Sequence, residues 1–112
     1  MENNQLKMSE LTVISSDVTI EGTVSVTREL HLYGKIIGEL KGLEGSQIIL
    51  NEGSVVEGKI TSDTLIIDGF VNGEIRSYLK VWITASARVL GSVQTPSLQV
   101  DAGATFEAKV KM

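Results

Sequence analysis

His31 is the sole histidine among the 112 residues. It could act as a general base or a metal ligand. Yet it sits between Leu30 and Leu32, and strand alternation turns it outward, so it reads as a solvated strand histidine. Asp63, Asp68 and Asp101 lie near turns, where Asp bonds its own backbone. A calcium cluster would need all three on one face. Glu21, Glu39 and Glu74 recur beside glycines and read as a charged ladder on the outer surface, suited to solvation and to keeping rods from sticking sideways. Gly34-Lys-Ile-Ile-Gly38 lacks the spacing of a phosphate loop, and no helix follows it. Trp82, between Val81 and Ile83, faces outward as a surface aromatic or a lateral contact. Cysteine is absent, which removes thiolate nucleophiles, disulfides and cysteine metal sites together. These groups offer no catalytic residue, cofactor site or metal site.

The elements that must carry these residues follow from a repeat. One unit recurs: apolar, any residue, Gly, any residue, apolar. It reads Ile20-Glu-Gly22-Thr-Val24, Ile36-Ile-Gly38-Glu-Leu40, Val56-Glu-Gly58-Lys-Ile60, Val71-Asn-Gly73-Glu-Ile75, Val89-Leu-Gly91-Ser-Val93 and Phe106-Glu-Ala108-Lys-Val110. Successive starts lie 16, 20, 15, 18 and 17 residues apart. Five apolar pairs fall between the units: Leu30-His-Leu32, Ile48-Ile-Leu50, Leu65-Ile-Ile67, Val81-Trp-Ile83 and Leu98-Gln-Val100. A Gly or Ala follows each of them (Gly34, Gly53, Gly69, Ala87, Gly103).

The alternation has period 2, so each unit is a strand with one buried face. Lys35, Glu39, Glu57, Lys59, Glu74 and Arg76 take outward positions. Strands of three to five residues suit stacked coils, in which each strand pairs with its equivalent one turn on. Gly22, Gly38, Gly58, Gly73 and Gly91 are corner glycines, because Gly reaches positive φ without steric cost. Pro96 lies at a corner, where its missing N–H spares the ladder. The predicted fold is all-β: a parallel β-helix of about six coils over residues 13–112, preceded by a short flexible N-terminal tail over residues 1–12. A left-handed hexapeptide solenoid needs a strict step of six. The irregular steps here favour a right-handed coil.

Composition agrees. The chain is 42% hydrophobic, but only five residues are aromatic, so its core is aliphatic. Val and Ile favour strands because branching at Cβ suits a pleated surface. The formal charge of −4 gives no electrostatic reason to bind nucleic acid. No apolar run approaches the ~18 residues that span a bilayer. The N-terminal residues lack a basic, apolar leader pattern, so the expected location is cytoplasmic.

Self-assembly is expected on physical grounds. A β-helix ends in an open parallel edge with unpaired backbone groups, which natural proteins usually cover. Only Lys111 and Met112 follow Val110, so the last coil is expected to lack a cap. This predicts a C-terminal junction around Phe106 and Val110, with Leu98 and Val100 beside them. The residues before Val18 form a partial cap, or regulate a second junction around Val13, Val18 and Ile20.

Several segments carry a family resemblance. They are Leu30-His-Leu-Tyr-Gly-Lys-Ile-Ile-Gly-Glu-Leu40, Leu65-Ile-Ile-Asp-Gly-Phe-Val-Asn-Gly-Glu-Ile75, Arg88-Val-Leu-Gly-Ser-Val93 and Ala102-Gly-Ala-Thr-Phe-Glu-Ala-Lys-Val-Lys-Met112. From about Val18 onward the chain resembles the bactofilins. The resemblance implies a right-handed β-helix that polymerises end to end without nucleotide into non-polar filaments. It also implies a cytoplasmic scaffold, often beneath the membrane, in cell shape, peptidoglycan synthesis or polarity. Partners would be further copies of the chain, with cell-wall enzymes or polarity proteins as clients. A Phe that supports assembly in the family matches Phe106. Ala108 departs from the usual Gly. The N-terminal tail, a membrane anchor in several members, is short, leaving Leu6, Met8 and Leu11 as a small apolar foot. Two other functions compete: a β-helical binding module that stays a discrete dimer, and a solenoid acyltransferase or lyase.

Overall fold

The computed structural model describes residues 5–8 and 11–111, with side chains described from Thr12 to Lys111. Every element among them is a strand. In chain order they are β1 (Gln5–Met8), β2 (Leu11–Ile14), β3 (Thr19–Val26), β4 (Glu29–Leu32), β5 (Lys35–Gly42), β6 (Gln47–Leu50), β7 (Val55–Ile67), β8 (Phe70–Ile83), β9 (Arg88–Gln94), β10 (Leu98–Val100) and β11 (Thr105–Lys111).

All pairings are parallel, each strand lying on its equivalent in the next coil. One ladder runs β1-β3-β5-β7-β8-β9-β11. The other runs β2-β4-β6-β7-β8-β10. β7 and β8 serve both ladders, each continuing around a corner where the register shifts by an irregularity after Ser62. The result is a parallel β-solenoid of about six turns.

The core consists of columns of like side chains. Ile36, Val56, Val71 and Val89 stack along one, Leu40, Ile60, Ile75 and Val93 along a second, and Leu32, Leu50, Ile67 and Ile83 along a third. All are fully or almost fully buried, and no aromatic residue is among them. Branched aliphatic chains stacked one strand spacing apart fill such a column without gaps.

β1, β2, β4, β6 and β10 have the three to five residues expected, but the strands that carry the repeat unit are longer. β3 and β5 run through their glycines for eight residues, and β8 reaches fourteen. The reason lies in the glycine column. Gly22, Gly38, Gly58, Gly73 and Gly91 pair with one another, with φ between +119° and +151°. This conformation bends the chain while its N–H and C=O stay in the ladder, so the corner falls inside a strand.

The boundary expected between residues 12 and 13 falls inside β2, and β1 pairs in register with Thr23–Val26. Among the described residues before 13, Gln5–Met8 adds backbone to one ladder and Leu11 and Thr12 to the other.

Candidate self-assembly surfaces

The C-terminal end is where the core columns come to the surface. Val93 is 1% exposed, while Val110, its partner in the next coil, is 42% exposed. Ile83 is fully buried, and its partner Val100 is 42% exposed. Phe106 continues the Val71–Val89 column and packs on the core only in part, as do Leu98 and Ala108. The four residues anticipated for this end, Leu98, Val100, Phe106 and Val110, therefore share the terminal rung as ends of inward columns. Ala108 takes the place of the column glycine beside Gly91, and the register holds without a break from Thr105 to Lys111. Among the described residues, β10 and β11 each pair along one edge only. Their other edges present backbone donors and acceptors with no strand against them.

The N-terminal end is built differently. β1 covers the half of β3 from Thr23 to Val26. The half that carries Ile20 has no strand on that side among the described residues, and Ile20 is partly buried against the core. Val18, 38% exposed, lies in the turn before β3, where its carbonyl accepts from the Lys35 N–H at 3.0 Å. Val13 is not on the end face. It pairs with His31, a position whose side chain points outward, while its neighbour Ile14 is buried beside Leu32. The strands start one residue out of phase with an inward Val13. The side chains of Leu6, Met8 and Leu11 lie outside the described residues.

The residues whose types could do chemistry are dispersed. His31 Nε2 lies 2.6 Å from Glu29 Oε2 on an outer face. Asp63 accepts from the Gly45 N–H at 2.5 Å, Asp68 from Thr84 Oγ1 at 2.6 Å, and Asp101 from Trp82 Nε1 at 3.0 Å. Asp63 sits on a different corner from the other two. Each carboxylate fastens one turn to the next, and no group of three acidic or histidine side chains among the described residues could hold a metal. The anticipated glutamate ladder does not form. Glu39 and Glu74 share a column but Lys59 stands between them, and Glu21 pairs with Ile37 in another column. Glu21 precedes its glycine and the other two follow theirs, so the bend separates them.

One set of residues was missed in the sequence. Ser62, Ser77 and Thr95 are buried at the corner beyond Arg76. Ser62 donates to the Thr64 carbonyl at 2.8 Å, and Ser77 Oγ lies 2.7 Å from the Asp63 carbonyl and accepts from the Lys80 N–H at 3.1 Å. Thr95 donates to the Ser97 carbonyl at 3.1 Å. These hydroxyls satisfy backbone groups that the turn removes from the ladder. The available signal was their equal distance past each repeat glycine.

Stacked parallel rungs with an aliphatic interior define a β-solenoid whose last described rung has no strand on its far edge among the described residues. The chain belongs to the bactofilin family, whose model, described as polymer-forming cytoskeletal, matches residues 12–111. Over 102 residues it is 33% identical to bactofilin BacO of Myxococcus xanthus, an overlap that covers 90% of this chain and 79% of that one. It is 27% identical to bactofilin BacP of the same organism over 101 residues, which are 90% of this chain and 41% of BacP, so it spans less than half of that relative's length. Its fold resembles a Thermus thermophilus bactofilin solved by cryo-EM as double helical filaments. The TM-score is 0.82 at 21% identity, covering 88% of this chain and 96% of the other.

Proposed function

We propose that this chain is a self-assembling cytoskeletal scaffold whose subunits join end to end through the open rungs of the solenoid. The observation that carries this reading is the surfacing of the core columns at Phe106, Val110 and Val100. A fully buried aliphatic or aromatic side chain contributes roughly 1.5–3 kcal/mol. Closing the junction covers several such groups together and lets free strand edges pair. Surface burial and backbone pairing drive this step, so it needs neither nucleotide nor catalysis. The filaments are non-polar, with C-terminal ends meeting each other and N-terminal ends meeting around Ile20 and Val18. The Thermus relative, solved in filaments, supports the reading.

In the cell the polymer acts in the cytoplasm, supporting cell shape, wall synthesis or polar organisation. It holds cell-wall enzymes or polarity proteins along its length. Leu6, Met8 and Leu11 give weak contact with the inner face of the membrane, multiplied by the number of subunits in the polymer.

The test is negative-stain microscopy and sedimentation of the purified chain without nucleotide. Wild type is expected to form filaments. Phe106→Arg places a charge in a desolvated junction, at a cost of several kcal/mol if unpaired, and is expected to leave only small discrete species. Filaments as abundant in the variant would put the junction elsewhere. A wild type that elutes as a discrete dimer at every concentration would favour the binding module.

A further inference from the structure

The outer face that follows the column glycines is cationic, on a chain whose formal charge is −4. Two outward columns run along it. They set Lys41, Lys59, Arg76, Lys109 and Lys111 against only two carboxylates, Glu39 and Glu74. Among the described residues none of these cations is held in an ion pair. Arg76 Nη2 donates to the Gln94 amide oxygen, a neutral partner, at 3.3 Å. A guanidinium carries five N–H donors, so most of its fork remains to be used.

Two cavities meet at that hydrogen bond. One, of about 450 Å³, is a groove across four rungs, with Lys59, Glu74, Ser92 and Lys109 as one column and Lys111 beside them. The other, of about 400 Å³, lies further along at the corner, where Tyr78 and Pro96 line it. Arg76 and Gln94 line both. Tyr78 is 56% exposed, in a corner one residue longer than its counterpart in β7. A cationic groove thus runs into a shelf with an aromatic ring and a proline ring.

We infer that the joined cavities are a docking groove for an extended acidic segment of a partner protein. Its carboxylates sit on Lys59, Arg76, Lys109 and Lys111, and one large apolar side chain sits against Tyr78 and Pro96. The inference names the kind of client that the scaffold reading above would hold, and it rests on that reading for its use in the cell. The groove itself belongs to a single subunit. Four rungs about 4.8 Å apart span roughly 14 Å, which is four or five residues of extended chain. Alternate side chains of such a chain lie about 6.6 Å apart on one side. Carboxylates at that spacing meet Lys59, Arg76 and Lys109 in turn, and the guanidinium fork can hold one of them by two hydrogen bonds.

Glu74 argues for a peptide over other anions. It stands inside the groove between Lys59 and Ser92. A nucleic-acid backbone carries a charge at every step and gains from unbroken cations, so Glu74 repels part of it. A bilayer surface is flat and charged, and cations lining a groove meet few of its headgroups. A peptide can place a neutral residue opposite Glu74 and carboxylates elsewhere, so the same residue that weakens other polyanions selects the peptide's pattern. The exposed ring of Tyr78 adds a contact that a phosphate chain does not use, because an aromatic anchor gives large contact area at low entropy cost.

The test is fluorescence anisotropy of a labelled peptide of about eight residues, Glu alternating with Ser and closed by Phe-Leu. The full chain is titrated into it, both as wild type and as Phe106→Arg. Both are expected to bind, and to bind at least about tenfold more weakly when salt rises from about 50 to 500 mM. Arg76→Gln removes the charged fork and is expected to weaken binding about tenfold. Tyr78→Ser is expected to weaken this peptide and to leave unchanged a second one with Ser-Ser in place of Phe-Leu. Glu74→Gln is expected to tighten both. All three positions are exposed, and circular dichroism checks that each variant is folded. No saturable binding by wild type, or binding indifferent to Arg76→Gln and Tyr78→Ser in folded protein, would overturn the groove. So would a groove that takes phosphatidylglycerol vesicles or a single-stranded oligonucleotide through Arg76 and refuses the peptide. Filaments that ignore the peptide overturn the groove alone. Peptide binding by a wild type that forms no filaments supports the groove and overturns the scaffold reading.

Discussion

A Cβ at Gly58 would run into the carbonyl oxygen of Gly38 in the coil beneath, at a φ of +136° that L side chains rarely adopt. Gly45 also has positive φ, +83°, but open space surrounds it. The two sites separate conformational strain from steric collision. Gly45→Ala should cost about 1–2 kcal/mol, the left-handed penalty alone. Gly58→Ala adds a backbone clash in the middle of a ladder and should cost at least about 3 kcal/mol, or prevent folding. Urea unfolding of both variants, made in a chain whose C-terminal end is blocked by Phe106→Arg, checks the ranking. Equal losses would mean that neighbouring coils slide apart to admit the methyl group. The column glycines were legible because they recur at the centre of an apolar pair. The hydroxyls of Ser62, Ser77 and Thr95 were marked only by their equal distance past those glycines, since a Ser near a turn looks alike in sequence whether it faces solvent or the core.

The coil spacing is irregular because the corners absorb the differences while the strands do not. β7 turns its corner with Asp63 alone between paired residues, whereas β8 uses Tyr78 and Leu79 at the same place. Both of these are exposed. Ser62 closes its corner on the Thr64 carbonyl and Ser77 closes its own on the Lys80 carbonyl, 3.0 Å away. Deleting Leu79 gives the β8 corner the length of the β7 corner, so the fold should survive with a small loss, within about 1 kcal/mol on loop-length grounds. Inserting one residue between Gly73 and Ile75 instead turns every later side chain of that strand to the opposite face. That variant should not fold. Circular dichroism melts distinguish the pair, and a Leu79 deletion that unfolds would show that Tyr78 and Leu79 are structural. At this scale the apolar alternation was readable, but strand length was not, because a glycine at a corner looks like a strand end. The outward column of Ile49, Ile66 and Trp82 was hidden by the same habit. In Leu65-Ile-Ile67 the two flanking residues already account for a buried strand, and the middle Ile draws no notice until register places it beside Ile49 and Trp82.

For the whole molecule the decisive fact is that its ends differ in kind from its sides. The sides close on themselves through the ladders, while the last rung leaves Val100 and Val110 far more exposed than any of their column partners. An aliphatic solenoid of this size gains from covering that rung, and a copy of the same rung is a surface that fits it. If end-to-end contact supplies this burial, the folded state is linked to assembly, and anything bound only to the folded form raises its stability by mass action. Apparent stability should then climb with protein concentration, approaching about 1.4 kcal/mol per tenfold once polymers predominate. Phe106→Arg should remove the slope, and in the dilute chain should cost only the part of the Phe106 side chain that packs on the core. Thermal scans across a hundredfold range of concentration provide the measurement. A wild-type midpoint that does not move, in samples where microscopy shows filaments, would mean that the ends join without burying the columns, through the free strand edges alone.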